Sequence, residues 1–135
     1  MKDKLTTILL VDDDEISNFI TESLISEMNI ARDVSVVTDG RQALDYIRAH
    51  PVIKDGEKGH ILVLLDLNMP VMDGFEFMEE YQQQNWTNKV SIVMLTSSSN
   101  PKDMSKAKSF EFAGYLQKPF SQDDIQKLIV SRDFI

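Results

Sequence analysis

Short apolar runs and helix-period stripes alternate along this chain. Thr7 to Val11, Val34 to Val37, Ile61 to Leu65, Val90 to Leu95 and the brief Tyr115–Leu116 read as strands. Between them the apolar spacing changes to that of helices. Ile16, Phe19, Ile20, Leu24 and Met28 form one stripe, with Asn29 expected to end that helix in the left-handed region. Ala43, Leu44 and Ile47 mark a second helix stopped by Pro51, and Phe75, Met78 and Tyr81 a third. Asn100-Pro101 reads as an N-cap with proline in the first helical position. The helix it opens carries Lys102, Lys106 and Lys108 among few apolar residues, and is expected to be the least firmly packed. Ser121 caps a last helix with Ile125, Leu128 and Ile129, and residues 131–135 read as its natural end.

Strand–helix alternation is the signature of a parallel sheet with crossover helices. The expected fold is α/β: a doubly wound five-stranded parallel sheet in the order 2-1-3-4-5, a flavodoxin-like (βα)5 arrangement. Residues 1–135 are expected to form one domain. An extended polar loop, residues 51–60, separates the second helix from the third strand and carries no expected core position from Lys54 onward.

Each strand but the second ends in residues that suit one chemistry. Asp12-Asp13-Asp14 follow the first, Asp66 the third, Thr96 the fourth and Lys118 the fifth. Right-handed crossovers bring these ends to one edge of the sheet. In the expected order the first and third strands are neighbours, so Asp12 and Asp13 face Asp66 at the switch point. Carboxylates that close repel one another unless one is protonated or a hard cation joins them. Oxygen-only ligation favours Mg²⁺ over zinc or copper, with Mn²⁺ a substitute. A carboxylate is also a nucleophile toward phosphorus, and a metal, a lysine and a hydroxyl would serve the phosphoryl oxygens. Lys118 precedes Pro119, where a cis peptide bond would aim the lysine into the site.

Other acidic residues have plainer readings. Asp14 and Asp73 are expected to cap helices, and Asp123-Asp124 to complement a helix dipole. His50, at a helix end, is expected to complement the dipole there, and His60 to have no chemical role. Phe110 and Phe112 are open between core and half-exposed contact positions.

The charge balance narrows the partners. Fourteen basic against twenty-two acidic residues give a net charge of -8, which argues against a nucleic-acid surface. With no cysteine, thiolate catalysis and thiolate metal sites are excluded. The first residues do not read as a signal peptide, and no run approaches the ~18 apolar residues of a membrane span. The chain reads as cytoplasmic.

Taken together, Ile8-Leu9-Leu10-Val11-Asp12-Asp13-Asp14, Asp66-Leu67-Asn68-Met69-Pro70-Val71-Met72-Asp73-Gly74, Val93-Met94-Leu95-Thr96 and Tyr115-Leu116-Gln117-Lys118-Pro119-Phe120 resemble the receiver domain of two-component response regulators, similar to the single-domain chemotaxis type. The resemblance spans essentially the whole chain. It implies that Asp66 is the phosphoacceptor. Asp12, Asp13, Asp66 and the Asn68 carbonyl would form the Mg²⁺ site. Thr96 would be the switch hydroxyl, Lys118 the phosphate clamp and Tyr115 the rotating aromatic. Asn68 and Ser98 would border the path of an attacking water and set the lifetime of the phosphoryl group, with hydrolysis neither blocked nor strongly accelerated. The implied partners are a sensor histidine kinase or histidine phosphotransfer protein and a downstream protein. The implied state is a monomer or a phosphorylation-dependent dimer, and no enzyme in the ordinary sense.

Two departures stand out. The interval from Asp12 to Asp66 is lengthened by residues 51–60, and the small Gly-Ala turn after the fourth expected helix is replaced by Glu111-Phe112, which is expected to reshape the output face. A phosphatase of the haloacid-dehalogenase type shares the parts list, with Asp12 and Asp14 as nucleophile and acid/base. That pattern expects Thr or Val where Ile16 stands, and leaves the Asp66 segment unexplained. A receiver that binds partners without phosphorylation would be expected to lack part of this intact set.

Overall fold

The computed structural model describes residues 5–67, 69, 71–96 and 101–131. Among them are five strands: β1 (Leu5–Val11), β2 (Ala31–Val37), β3 (Ile61–Asp66), β4 (Val90–Thr96) and β5 (Gly114–Gln117). Six helices accompany them: α1 (Glu15–Met28), α2 (Gly40–Ala49), α3 (Pro51–Lys54), α4 (Gly74–Gln82), α5 (Pro101–Ala107) and α6 (Gln122–Ser131). The strands form one sheet in the order β2-β1-β3-β4-β5, and every pairing is parallel. The expected fold class and order are thus present.

The period-2 geometry of strands explains how one sheet builds two cores. Leu9, Val11, Ile61, Val63, Leu65 and Ile92 point to one face, where they meet Ala43, Leu44 and Ile47 of α2 and Phe77, Met78 and Tyr81 of α4. Ile8, Leu10, Leu62, Leu64, Val93 and Leu95 point to the other, toward Ile25 of α1 and Ile125 and Ile129 of α6. Strands buried on both faces need continuous apolar runs. Each fully buried Leu or Ile contributes about 1.5–3 kcal/mol of burial free energy.

Caps follow the expected chemistry. The Asp14 carboxylate accepts from the Ile16 and Ser17 amides at the start of α1, and Asn29 ends that helix at φ 55°. Asp73 and Glu76 make a reciprocal capping box on α4. Ser121 and Asp124 do the same on α6: the Asp124 amide donates to Ser121 Oγ at 3.2 Å, and the Ser121 amide to Asp124 Oδ2 at 2.9 Å. The Asn100 cap lies outside the described residues, as do residues 132–135.

The apolar stripe of α1 reaches the core only toward its end, where Met28 packs against it. Ile16 and Phe19 are 73% and 71% exposed and Ile20 is exposed as well, whereas Asn18, Thr21 and Ile25 are buried. The cause is local. Asn18 Nδ2 donates to the Asp12 carbonyl at 2.7 Å, which turns that side of the helix inward and the first half of its apolar stripe outward.

Residues 51–60 also differ from a plain loop. Pro51–Lys54 form one helical turn, and Val52 is buried in the core beside α2. His50 does not serve as a dipole partner only. Its Nδ1 accepts from the Val52 amide at 3.1 Å, capping α3, and its Nε2 lies 2.9 Å from Thr7 Oγ1. Lys89 ties the segment down on both sides of Lys54: its Nζ donates to the Val52 carbonyl at 3.0 Å and to the Glu57 carbonyl at 3.4 Å.

Candidate functional site

The carboxyl ends of β1, β3, β4 and β5 share one edge, as the registers require: Val11 pairs with Leu65, Asp66 with Leu95, and Thr96 with Gln117. Beyond these pairs Asp12, Asp13 and Asp66 converge. One carboxylate oxygen from each lies within 4.8 Å of the others. Asp12 is buried at 2% exposure, Asp66 is half-buried and Asp13 is open to solvent. The cluster is therefore graded from protein to water, and reachable from outside.

Asp12 is the anchored member. Its Oδ1 accepts from the Asp14 amide at 3.0 Å, its own amide donates to the Val37 carbonyl at 3.2 Å, and its Oδ2 is paired with Lys118 Nζ. The lysine is mostly buried and arrives from β5, whose last bond to β4 is the Lys118 amide to the Thr96 carbonyl at 2.7 Å. The Lys118–Pro119 peptide is cis, as expected. Without Lys118 the buried Asp12 charge would have no cationic partner among the described residues, an arrangement that costs several kcal/mol.

Asp66 is positioned by the loop that follows it. The Gly74 amide donates to the Leu67 carbonyl at 3.0 Å, and the Gly40 amide to the Met72 carbonyl at 2.9 Å, so both α4 and α2 pin the segment. A Cβ on Gly74 would stand 2.8 Å from the Asp66 carbonyl oxygen, so only glycine permits this approach. Met69 and Met72 pack into the core, while Val71 between them takes φ 66°, a left-handed conformation that costs a β-branched residue about 1–3 kcal/mol. Asn68, Pro70 and Ser98 lie outside the described residues.

Of the expected site residues, Asp12, Asp13, Asp66 and Lys118 are brought together in this way. Thr96 ends β4 on the same edge and is half-buried. Tyr115 stands apart, two residues before the end of β5 and 45% exposed, with its ring 6.0 Å from that of Phe112. Phe110 and Phe112 are neither wholly core nor wholly surface. Both are half-buried and pack against the α2/α4 core and a smaller cluster of Leu67, Phe75, Met94 and Ala107.

Asn18 is a residue that the sequence reading passed over. In the sequence it is only an amide-bearing side chain four residues after the Asp14 cap, like an ordinary polar interruption; its burial belongs to the fold. An open groove of about 350 Å³ beside the site runs between α1 and the β5–α6 connection, lined by Asp14, Ile16, Ile20, Lys118, Pro119 and Phe120 among others.

The model of the response regulator receiver domain matches residues 8–130. This chain belongs to that family. The receiver is 30% identical over 122 residues to the probable methanogenesis regulatory protein FilR2 of Methanothrix harundinacea, covering 90% of this chain and 77% of that one. Among solved structures it is similar to the chemotaxis response regulator CheY4 of Vibrio cholerae, with a TM-score of 0.76, 26% identity, and coverage of 96% of this chain and 99% of the other. A further likeness is to the receiver domain of sensor histidine kinase PA1611 from Pseudomonas aeruginosa PAO1, described with a magnesium ion coordinated in its active-site cleft. There the TM-score is 0.78 and the identity 25%, covering 96% of this chain and 98% of that one. Receivers are signalling modules of two-component systems rather than conventional enzymes. No helix among the described residues is long and apolar enough to cross a membrane.

Proposed function

We propose that the whole chain, residues 1–135, works as a single-domain response regulator in which Asp66 accepts a phosphoryl group from a sensor histidine kinase or a histidine phosphotransfer protein. The observation that carries this reading is the meeting of Asp12, Asp13 and Asp66, within 4.8 Å, with Lys118 already paired to Asp12. Among the described residues three carboxylates meet one ammonium, at a position that the exposed Asp13 opens to solvent.

That donor set fits a hard divalent cation, since it offers carboxylate oxygens and neither nitrogen nor sulfur. Asp12, Asp13 and Asp66 would hold Mg²⁺, or Mn²⁺ in its place, with the Asn68 carbonyl as a further ligand. When bound, the ion supplies positive charge to neutralise the phosphoryl oxygens. The chain's own residues do the rest. An Asp66 carboxylate oxygen attacks phosphorus, the bond from phosphorus to the donor's imidazole nitrogen breaks, and the imidazole keeps that electron pair. Lys118 moves its charge from Asp12 toward the transferred group, and the Thr96 hydroxyl donates a hydrogen bond to it. Thr96 thereby shifts inward and biases Tyr115 and the face built by α5, β5 and α6. Asn68 and Ser98, two residues beyond Asp66 and Thr96 in the chain, would set how fast water later hydrolyses the acyl phosphate.

The exposed Ile16 and Ile20, lining the groove at the site's mouth, support a protein donor over a small molecule. The downstream partner is another protein, or the next carrier in a relay, and the regulator acts in the cytoplasm as a monomer or a phosphorylation-dependent dimer.

Reductive trapping tests the assignment. Borohydride converts an aspartyl phosphate into homoserine, which tandem mass spectrometry locates. After incubation with acetyl phosphate and Mg²⁺, homoserine is expected at position 66 alone. Its appearance at position 12 would instead identify a phosphatase-type nucleophile and overturn the reading.

A further inference from the structure

Four aromatic rings form a continuous row from the phosphoacceptor loop to the surface of β5. Phe75 and Phe110 stack with centroids 5.9 Å apart. Phe110 meets Phe112 edge-on at 6.5 Å, and Phe112 meets Tyr115 at 6.0 Å with the planes tilted by 50°. All three contacts fall within the range in which aromatic pairs attract beyond their burial.

Both ends of this row are informative. Phe75 directly follows Gly74, whose amide is bonded to the Leu67 carbonyl and where an added Cβ would stand 2.8 Å from the Asp66 carbonyl oxygen. Lys106 of α5 rests over the same Phe75 ring, 4.6 Å from its centroid, so the row also touches the helix that borders the output face. At the other end Tyr115 is 45% exposed. Its neighbour Phe112 is fixed, being half-buried against the α2/α4 core and held by Phe110. Phe110 and Phe112 lie in and beside the Glu111-Phe112 segment, which stands where the family resemblance implies a small turn. A small residue at position 112 would leave the Tyr115 ring without this contact.

We propose that Phe112 is a positioning residue: it holds the Tyr115 ring in its outward setting and, through Phe110 and Phe75, ties that setting to the loop behind Asp66. The inference rests on the switching role given to Tyr115 above. Turning the ring inward means giving up the Phe112 contact, which shifts the population toward the outward state about two- to tenfold. The bistable element is the Tyr115 side chain, and both the phosphoacceptor loop and the output face bias it.

The test uses the full chain labelled with 3-fluorotyrosine. Its three tyrosines give three fluorine resonances, and Tyr115→Phe assigns the one of interest. Phe112→Leu keeps an apolar side chain and removes the ring, and Phe112→Tyr restores an aromatic, adding a fourth resonance that is told apart by combining it with Tyr115→Phe. In the unphosphorylated protein Phe112→Leu is expected to displace the Tyr115 resonance, and Phe112→Tyr to return it toward its original position. Phosphorylation by acetyl phosphate, followed by intact mass, is expected to become about two- to tenfold faster in Phe112→Leu, because the inward state is no longer opposed. An unchanged resonance overturns the proposal, as does a displaced resonance with an unchanged rate. If the wild-type chain forms no adduct at all, the phosphoacceptor reading fails. The resonance then still decides whether Phe112 holds the ring.

Discussion

At the amino ends of the strands, polar side chains close on one another. Thr7 Oγ1 and His50 Nε2 are 2.9 Å apart, His60 Nε2 and Ser91 Oγ are 2.7 Å apart, and the His60 amide donates to Thr6 Oγ1 at 3.1 Å. Lys89 spends its charge on the Val52 carbonyl. At the carboxyl ends the same strands finish in Asp12, Asp13 and Asp66, with Lys118 as the cation that reaches them among the described residues. One edge pairs mostly uncharged groups with one another. The other gathers three carboxylates around a single lysine among the described residues. Electrostatic surplus, rather than polarity, separates a site from a seal, because unbalanced charge persists only where something outside the fold completes it.

The largest expected effect comes from removing the cation at the charged edge. Lys118→Ala takes away both the partner of a buried carboxylate and the proposed stabiliser of the phosphoryl oxygens. The rate of adduct formation should fall about 10²- to 10³-fold, and stability by about 3 kcal/mol, read from a denaturant midpoint. A fall in stability without a fall in rate would make Lys118 a structural ion-pair partner and remove half of the contrast.

A smaller effect is expected at the sealed edge. Desolvation holds the pKa of His60 below its ordinary value of 6.5, partly opposed by a backbone hydrogen bond with Asn88. The unfolded chain therefore takes up a proton near pH 6.5 while the folded chain does not. The stability contributed by neutral His60 is fully present above that pH. It is lost as pH falls through 6.5 toward the lower folded value, below which no more is lost. Solvent reaches the ring in part and screens the effect, so it should be well below that of Lys118→Ala. Comparing denaturant midpoints near about pH 7.5 and about pH 5.5 should show a steeper loss in wild type than in His60→Gln. Phosphorylation at about pH 7.5 should be the same in both. A slower rate in His60→Gln would mean that the two edges are coupled.

Much of this architecture was legible in the chain, and the exceptions have physical causes. Strands buried on both faces must be apolar throughout, so β1, β3 and β4 announced themselves, and their polar terminal residues announced the site. The stripes of α2 and α4 pointed inward as read. In α1 the first half of an equally regular stripe, Ile16, Phe19 and Ile20, points outward. Periodicity identifies an apolar face but not which way it turns, and here the Asn18–Asp12 hydrogen bond decides. Val52 was missed because one core residue in a polar segment has no period to reveal it. Phe112 had the opposite problem. Its composition was conspicuous, but its meaning depended on which rings the fold set beside it.

The measurement that bears most directly on the central claim is intact-mass spectrometry of the wild-type chain after incubation with acetyl phosphate, with Mg²⁺ and with a chelator, beside Asp66→Asn. A single phosphoryl adduct is expected that needs both the ion and Asp66. No adduct, under conditions where titration shows Mg²⁺ bound, would contradict the account and make the acidic edge a binding surface without phosphoryl chemistry.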